Sequence, residues 1–320
     1  MGDEPALNEP VTLHLRGDWG QANMHRICGW IAQEIGDRAP AGSRFAVWSG
    51  RGGADAITAL REREADIAII TPTAAVRMLA RTGGLDGLRS LGVIGQWDRL
   101  VVAVDAGLPV HSVAELAEFT GKLTVATSPD DGVNLVGLAA HKALAVAGVD
   151  VRRLDFVYDE RPFPCIERFA DAHADVLVHE AVMTPRWQHI DRLRPVKYLP
   201  WGDEVVRAFA AEGWGAAVVP AGFLPGLTED LHTLDFSDFV VLCREDLPEE
   251  VAYLATWCMV RTRRALEAQY AHLPADRSPV TYPLVPADMA RTPIALHPAA
   301  ARAYTDLGAD DAPDDPLMWG

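Results

Sequence analysis

Side chains that could grip or transform a small molecule fall into two groups along the 320 residues. The first holds Trp19, Gln21 and Asn23, then Ser49, Arg51 and Gly52 in the run Ser49-Gly50-Arg51-Gly52-Gly53, then Thr71 and Thr73 on either side of Pro72. The second holds Ser128, Asp130, Asp131 and Asn134, and the adjacent pair His179-Glu180. Arg51, flanked by glycines that permit close backbone approach, has the planar fork to hold a carboxylate in a charge-assisted pair. Its alternative is a pair with a surface acid. Of Asp130 and Asp131, one is expected to cap a helix and the other to face an ammonium or hydroxyl group. Trp19 is either a stacking wall or a packed lid. His179 and Glu180 are the pair that would make an enzyme, as general base and orienting partner. Neighbours leaving a strand point to opposite sides, so only one of the two is expected to meet a ligand. No GxSxG elbow, HExxH, P-loop or clean GxGxxG occurs, and the ten histidines have no ligand spacing. Neither metal nor cofactor is expected.

The elements that must position the first group are legible around residues 49–76. A Gly-rich turn leads into a short helix with Ile57 and Leu60 at a helical interval, then into Asp66-Ile67-Ala68-Ile69-Ile70, apolar on both faces like a central parallel strand. Thr71-Pro72-Thr73 opens a second helix. Two strand-to-helix loops thus share one sheet edge, and N–H groups at such helix starts form a natural cradle for an anion. Upstream, residues 11–16 alternate as a strand, and Met24, Ile27, Cys28, Ile31 and Ile35 mark one face of a helix. Residues 45–48, 91–94 and 100–104 are further strands. The first hundred residues therefore read as a β/α unit with a parallel sheet.

The pattern restarts after Asp105. Strands at 123–127, 154–157 and 175–178 alternate with helices, and the loops after them carry Ser128, Asp131, Asn134, His179 and Glu180. The run 239–248 matches 100–105 in type, so two such strands side by side would join two domains and let them hinge. The expected organisation is a discontinuous first lobe, residues 1–104 plus 240–320, and a second lobe, 105–239. Ligands in open α/β sheets bind outside the carboxyl ends of the strands, which is where every residue named above falls.

Composition agrees with two ordinary domains: 49% hydrophobic, 23% charged. With 29 basic against 45 acidic residues, net −16, the surface disfavours nucleic acid and anionic membranes. Cys28, Cys165, Cys243 and Cys258 lie in or beside apolar runs, without metal spacing, and read as buried small hydrophobes. No run is long enough to span a bilayer. Residues 1–17 show neither the basic nor the apolar segment of a secretory leader. With Met1 as the native start the expected location is the cytoplasm; with a leader removed it is outside.

Several segments in matching order carry a family resemblance: SGRGGADAITALREREADIAIITPTAA (49–75), LVVAVDAGLPVHSVAELAEFTGKLTVATSPDDGVN (100–134), Val219-Pro220-Ala221-Gly222, VVLCREDLPEEVAY (240–253) and TPIALHPAAARAY (292–304). In these the chain resembles the TAXI family of solute-binding proteins of tripartite TRAP-type transporters. The resemblance covers most of residues 11–307. It implies a bilobed, periplasmic-binding-protein-like α/β fold, two β/α domains joined by two crossover hinge strands. It also implies a cleft for a small organic acid or amino acid, and TRAP-type permease subunits as partners. The chain departs from the family pattern at Arg51, where the turn is usually uncharged, at His179-Glu180, where the strand exit is usually neutral, and in showing no export signal.

The first functional expectation is a solute-binding protein closing on a small anionic organic solute. The alternative is a cofactor-free decarboxylase, lyase or dehydratase for an anionic substrate, with His179 and Glu180 as its catalytic residues. A third is ligand sensing through a partner protein. One fold hosts many functions, so the site must decide.

Overall fold

The computed structural model describes residues 4–20, 22–182 and 185–308. Gln21 and the acidic tail lie outside the described residues. Strands and helices alternate from the start: β1 (Thr12–Arg16), α1 (Asn23–Gly36), β2 (Arg44–Trp48), α2 (Asp55–Arg61), β3 (Ile67–Ile70), α3 (Thr73–Arg81) and β4 (Leu88–Ile94). The chain then builds β5 (Arg99–Asp105), α4 (Val113–Glu118), β6 (Thr124–Thr127), α5 (Leu135–Val146), β7 (Asp155–Tyr158), α6 (Pro162–Ala170), β8 (Val176–Glu180), α7 (Pro185–Leu193), β9 (Val196–Leu199), α8 (Asp203–Ala211), β10 (Ala216–Val219) and β11 (Leu231–Asp235). It ends with β12 (Phe239–Arg244), α9 (Glu249–Arg261), α10 (Arg263–Ala268), α11 (Pro286–Met289) and α12 (Pro298–Asp306).

Two sheets result, one per lobe. The first has the order β2-β1-β3-β12-β4, and the second runs β10-β11-β5-β8-β6-β7 with β9 also paired to β5. The fold is bilobed α/β. In the first sheet β1 is parallel to β2 and β3, and in the second β6 is parallel to β7 and β8. All four residues of β3 are buried, which suits its central place. On α1, Met24, Ile27, Cys28, Ile31 and Ile35 are buried as their spacing requires. Each such side chain stabilises the lobe by roughly 1.5–3 kcal/mol relative to exposure.

The first hundred residues do not form a single parallel sheet. The run 100–104 is β5, and it belongs to the second sheet, antiparallel to β8, β9 and β11. The place beside β3 is taken by β12, which comes back from the second lobe and runs antiparallel to β3 and β4. Both strands are apolar on both faces, so their own sequences do not say which sheet each joins. The chain crosses between lobes through residues 95–98 and returns through 236–238. These connectors lie side by side: the Phe236 N–H donates to the Asp98 carbonyl at 3.1 Å, and the Gln96 N–H to Asp238 Oδ1, also at 3.1 Å.

One apolar cluster extends across both lobes and includes Leu60 and Val76 from one and Leu135 and Phe209 from the other. Two further clusters fill the outer faces, around Ile31 with Leu254 and around Phe169 with Trp187. The four cysteines are buried and free. Among the described residues no helix is long and apolar enough to cross a membrane.

Candidate functional site

The carboxyl ends of the parallel strands in both sheets face a shared cavity of about 350 Å³. The β1 exit brings Asp18 and Trp19, the β2 exit Arg51 and Gly52, the β3 exit Thr71. From the other lobe come Ser128 after β6, Glu160 and Phe163 after β7, and His179 and Glu180 at the end of β8. Asn23, Met24 and Arg26 of α1, Asn134 before α5, and Tyr270 and His272 also line the cavity. Small-molecule sites of this kind start near 300 Å³.

Several expected residues line the cavity in roles the sequence left open. Trp19 meets Phe163 of the other lobe edge-on, centroids 5.5 Å apart, and the Arg161 guanidinium sits 5.3 Å over the indole. Asn23 accepts a hydrogen bond from the Tyr270 hydroxyl at 2.9 Å. Thr71 donates to the Asp238 carbonyl at 3.0 Å, tying the cavity floor to the hinge. Asn134 is the cap of α5, its carbonyl oxygen accepting from the Val136 and Gly137 N–H groups. Gly52, at φ +76°, leaves room for its neighbour: a Cβ there would lie 3.2 Å from the Asp18 carboxylate.

Others are placed differently. Ser49 and Thr73 do not line the cavity, and Thr73 is buried with its N–H on the Ser237 carbonyl at 3.0 Å. Asp131 neither caps α5 nor faces the cavity. Its Oδ1 accepts from the Val133 and Asn134 N–H groups and its Oδ2 pairs with Arg51. Arg51 is not held ready for a ligand carboxylate. Its guanidinium is shared by Asp131 and Glu160 of the opposite lobe, the latter at 2.7 Å. The expected anion cradle is likewise spent within the protein. The Arg51 N–H goes to Asp55 Oδ2, the Ala54 N–H to the Val133 carbonyl, and the Thr73 N–H to Ser237. Only the Ala54 bond crosses to the other lobe, while the Arg51 N–H is satisfied within its own turn and the Thr73 N–H at the returning connector.

His179 and Glu180 both line the cavity, not one alone. His179 Nδ1 accepts from the Glu180 N–H at 2.9 Å, so Nε2 carries the proton and donates to Ser128 Oγ at 3.2 Å. Burial pushes this imidazole down to about 3, which keeps it neutral. It orders the wall and is a poor proton acceptor. Glu180 behaves oppositely: burial, reinforced by the nearby Asp18 charge, raises it to about 7. Asp18 is raised by burial to about 6, against the opposing pull of the Trp19 N–H and Arg161. Behind them Asp98, fully buried at the hinge, is held well above the usual range by burial and by Glu180.

Sequence reasoning missed Asp18, Glu160 and Phe163. Asp18 adjoins Trp19, a residue already singled out, so the signal was present. Glu160 and Phe163 follow β7, a strand whose exit offered no distinctive residue pattern.

Among curated proteins no match to the sequence was found. Solved structures share the fold. One described as a periplasmic transporter superposes with TM-score 0.51 at 14% identity, over 95% of this chain and 97% of its own. A protein from Bordetella bronchiseptica RB50 gives TM-score 0.50 at 12% identity, over 93% and 81%. A TctC solute binding protein from Polaromonas gives 0.49 at 12%, over 94% and 99%. A family model matches residues 26–308, most of the chain. The chain belongs to the NMT1-like family.

Proposed function

We propose that this chain is a solute-binding protein that captures a small organic solute between its lobes by hinge closure. The observation that carries this reading is the cavity itself, built from the strand exits of both sheets and bridged at its rim by Arg51. The connectors at 95–98 and 236–238 are the hinge, and the described residues of the lobes fall within 4–94 with 239–308 and within 99–235. A carboxylate on the solute is taken at the start of α1, not at Arg51. That helix begins without a side-chain cap and without an acid in its first turn, so the positive end of its dipole meets the wall at Asn23 and Met24. Arg26, one turn in, adds a guanidinium beside Tyr270. The resemblance to TAXI proteins supports delivery of the solute to a TRAP-type permease.

A screen of organic acids and amino acids by thermal shift tests the reading. A ligand at about a hundred times its dissociation constant stabilises the fold by about 2.7 kcal/mol, a readily measured shift. Arg26→Ala should weaken a carboxylate ligand roughly tenfold or more, since hydrogen bonds to charged groups contribute about 1.5–3 kcal/mol. If no member of the panel raises the melting temperature, solute binding fails.

A second reading has Glu180 in its favour, because a carboxyl near neutrality can exchange a proton with a substrate. Mass spectrometry of the ligand after incubation separates the two. Unchanged ligand supports binding, and a converted one supports the enzyme.

A further inference from the structure

We propose that the solute carries a positively charged nitrogen, seated between the Asp18 carboxylate of one lobe and the Glu180 carboxylate of the other. This rests on the solute-binding reading and names the class of solute.

Both side chains line the same cavity, Asp18 from the exit of β1 and Glu180 from the end of β8. Among the described residues neither forms an ion pair, although cations lie nearby. Arg26 lines the same cavity but sits beside Tyr270, and the other guanidinium groups are engaged elsewhere. Arg51 is held by Asp131 and Glu160, Arg16 by Asp55 at 2.9 Å, and Arg99 by Asp235 at 2.9 Å. Arg161 is close enough to pull on Asp18 but rests over the Trp19 ring. Two carboxylates withdrawn from water, near one another and without a counter-ion, are costly as a charged pair. A cation between them removes that cost.

The surrounding wall suits the same guest. Trp19 already receives one cation on its face, and Phe163 stands edge-on to it. Gly52 keeps the space over Asp18 clear of a side chain. The two acids belong to different lobes, so a cation shared by both is held fully only when the lobes are shut. Charge recognition and closure are therefore the same event.

Proton linkage follows from the groups facing the pair. Asp18 faces Arg161, Asp55 and Glu160, while Glu180 faces Asp18, Asp98 and the neutral His179. With Glu180 near 7 and Asp18 near 6, the empty site holds protons that an incoming cation displaces. Affinity for an ammonium compound then rises between about pH 5.5 and 8.

The test uses matched probes against the full chain: L-glutamate, L-leucine, L-phenylalanine and γ-aminobutyrate, against glutarate, isocaproate, hydrocinnamate and butyrate. Calorimetry at pH 5.5 and 8 reads the affinities. In at least one pair the amine should bind about tenfold tighter or more than its deaminated partner at pH 8. That preference should shrink in Glu180→Gln and in Asp18→Asn, each checked for an unaltered circular dichroism spectrum. Deaminated probes binding as tightly as their amines overturn the proposal while leaving solute binding intact. So does a preference that survives in both variants. Silence from all eight probes overturns both readings.

Discussion

A carboxyl group that loses water on folding keeps its proton longer, and Asp18 and Glu180 do so within reach of each other's charge. Glu180 moves from an ordinary 4.5 to about 7 and Asp18 from 3.8 to about 6. Between those limits the unfolded chain has shed protons that the folded chain retains, so both groups make the empty protein less stable as pH rises, and the loss is complete above about pH 7. His179 acts with the opposite sign. Its folded value is depressed from 6.5 to about 3, so its contribution is complete above 6.5 and is lost as pH falls. Overall stability therefore mixes the two, and a variant isolates one. Glu180→Gln should match the parent near pH 5 and exceed it at pH 8, by on the order of 1–2 kcal/mol, read as several degrees in melting temperature. A gap that does not change with pH would refute the burial of Glu180 as the cause. At this scale the sequence disclosed identities but not environments. His179-Glu180 stood out as a chemical pair, yet the tautomer lock from the Glu180 N–H and Ser128 depends on where two strands end in space. Asp18 looked like an ordinary turn residue because the partner that makes it unusual lies 162 positions away.

Helix and strand types followed from local pattern, while their partners did not. Met24, Ile27, Cys28, Ile31 and Ile35 of α1 and the wholly apolar β3 needed only periodicity to be recognised. For β5 and β12 both faces are apolar, and only the crossing of the chain at 95–98 and 236–238 assigns each to its sheet. The Gly-rich turn before α2 is similar: its glycines announced close approach, but to what was not legible. The answer is the other lobe. Gly53 sits at φ +54°, and a Cβ there would lie 2.2 Å from the Val133 carbonyl oxygen, beside the 2.9 Å hydrogen bond from the Ala54 N–H to that same oxygen. Gly53→Ala therefore should force the turn away from Val133, break this bond and hold the lobes apart. Ligand affinity should fall about tenfold or more, beyond the ~1 kcal/mol of backbone strain alone. Gly87→Ala is the control, with φ +78° and open space around its Cβ. It should lower melting temperature without lowering affinity. Equal affinity in both variants would mean that the contact at Val133 plays no part in closure.

For the molecule as a whole, the question is what holds the lobes shut, and Arg51 is the informative residue. Its setting among glycines suggested a clamp on the ligand, but it reaches across the cleft mouth to Asp131 and Glu160. The apolar cluster shared by both lobes contributes to closure independently of charge, so Arg51 acts as a strap over a joint that is already favourable. The strap is weak by construction. Arg51 and Glu160 are about half exposed, and exposed pairs contribute little and are screened by salt. Arg51→Ala should thus shift part of the population to an open form, seen as a larger radius of gyration by small-angle scattering. Ligand affinity should fall by less than about tenfold, regardless of whether the ligand carries a carboxylate. High salt should expand the parent more than the variant, because the strap is an exposed electrostatic link between the lobes. A direct clamp predicts the reverse pattern: a hundredfold loss confined to carboxylate ligands, with no change of shape. Measuring scattering and affinity on the same two proteins therefore separates a residue that grips the guest from one that keeps the door closed behind it.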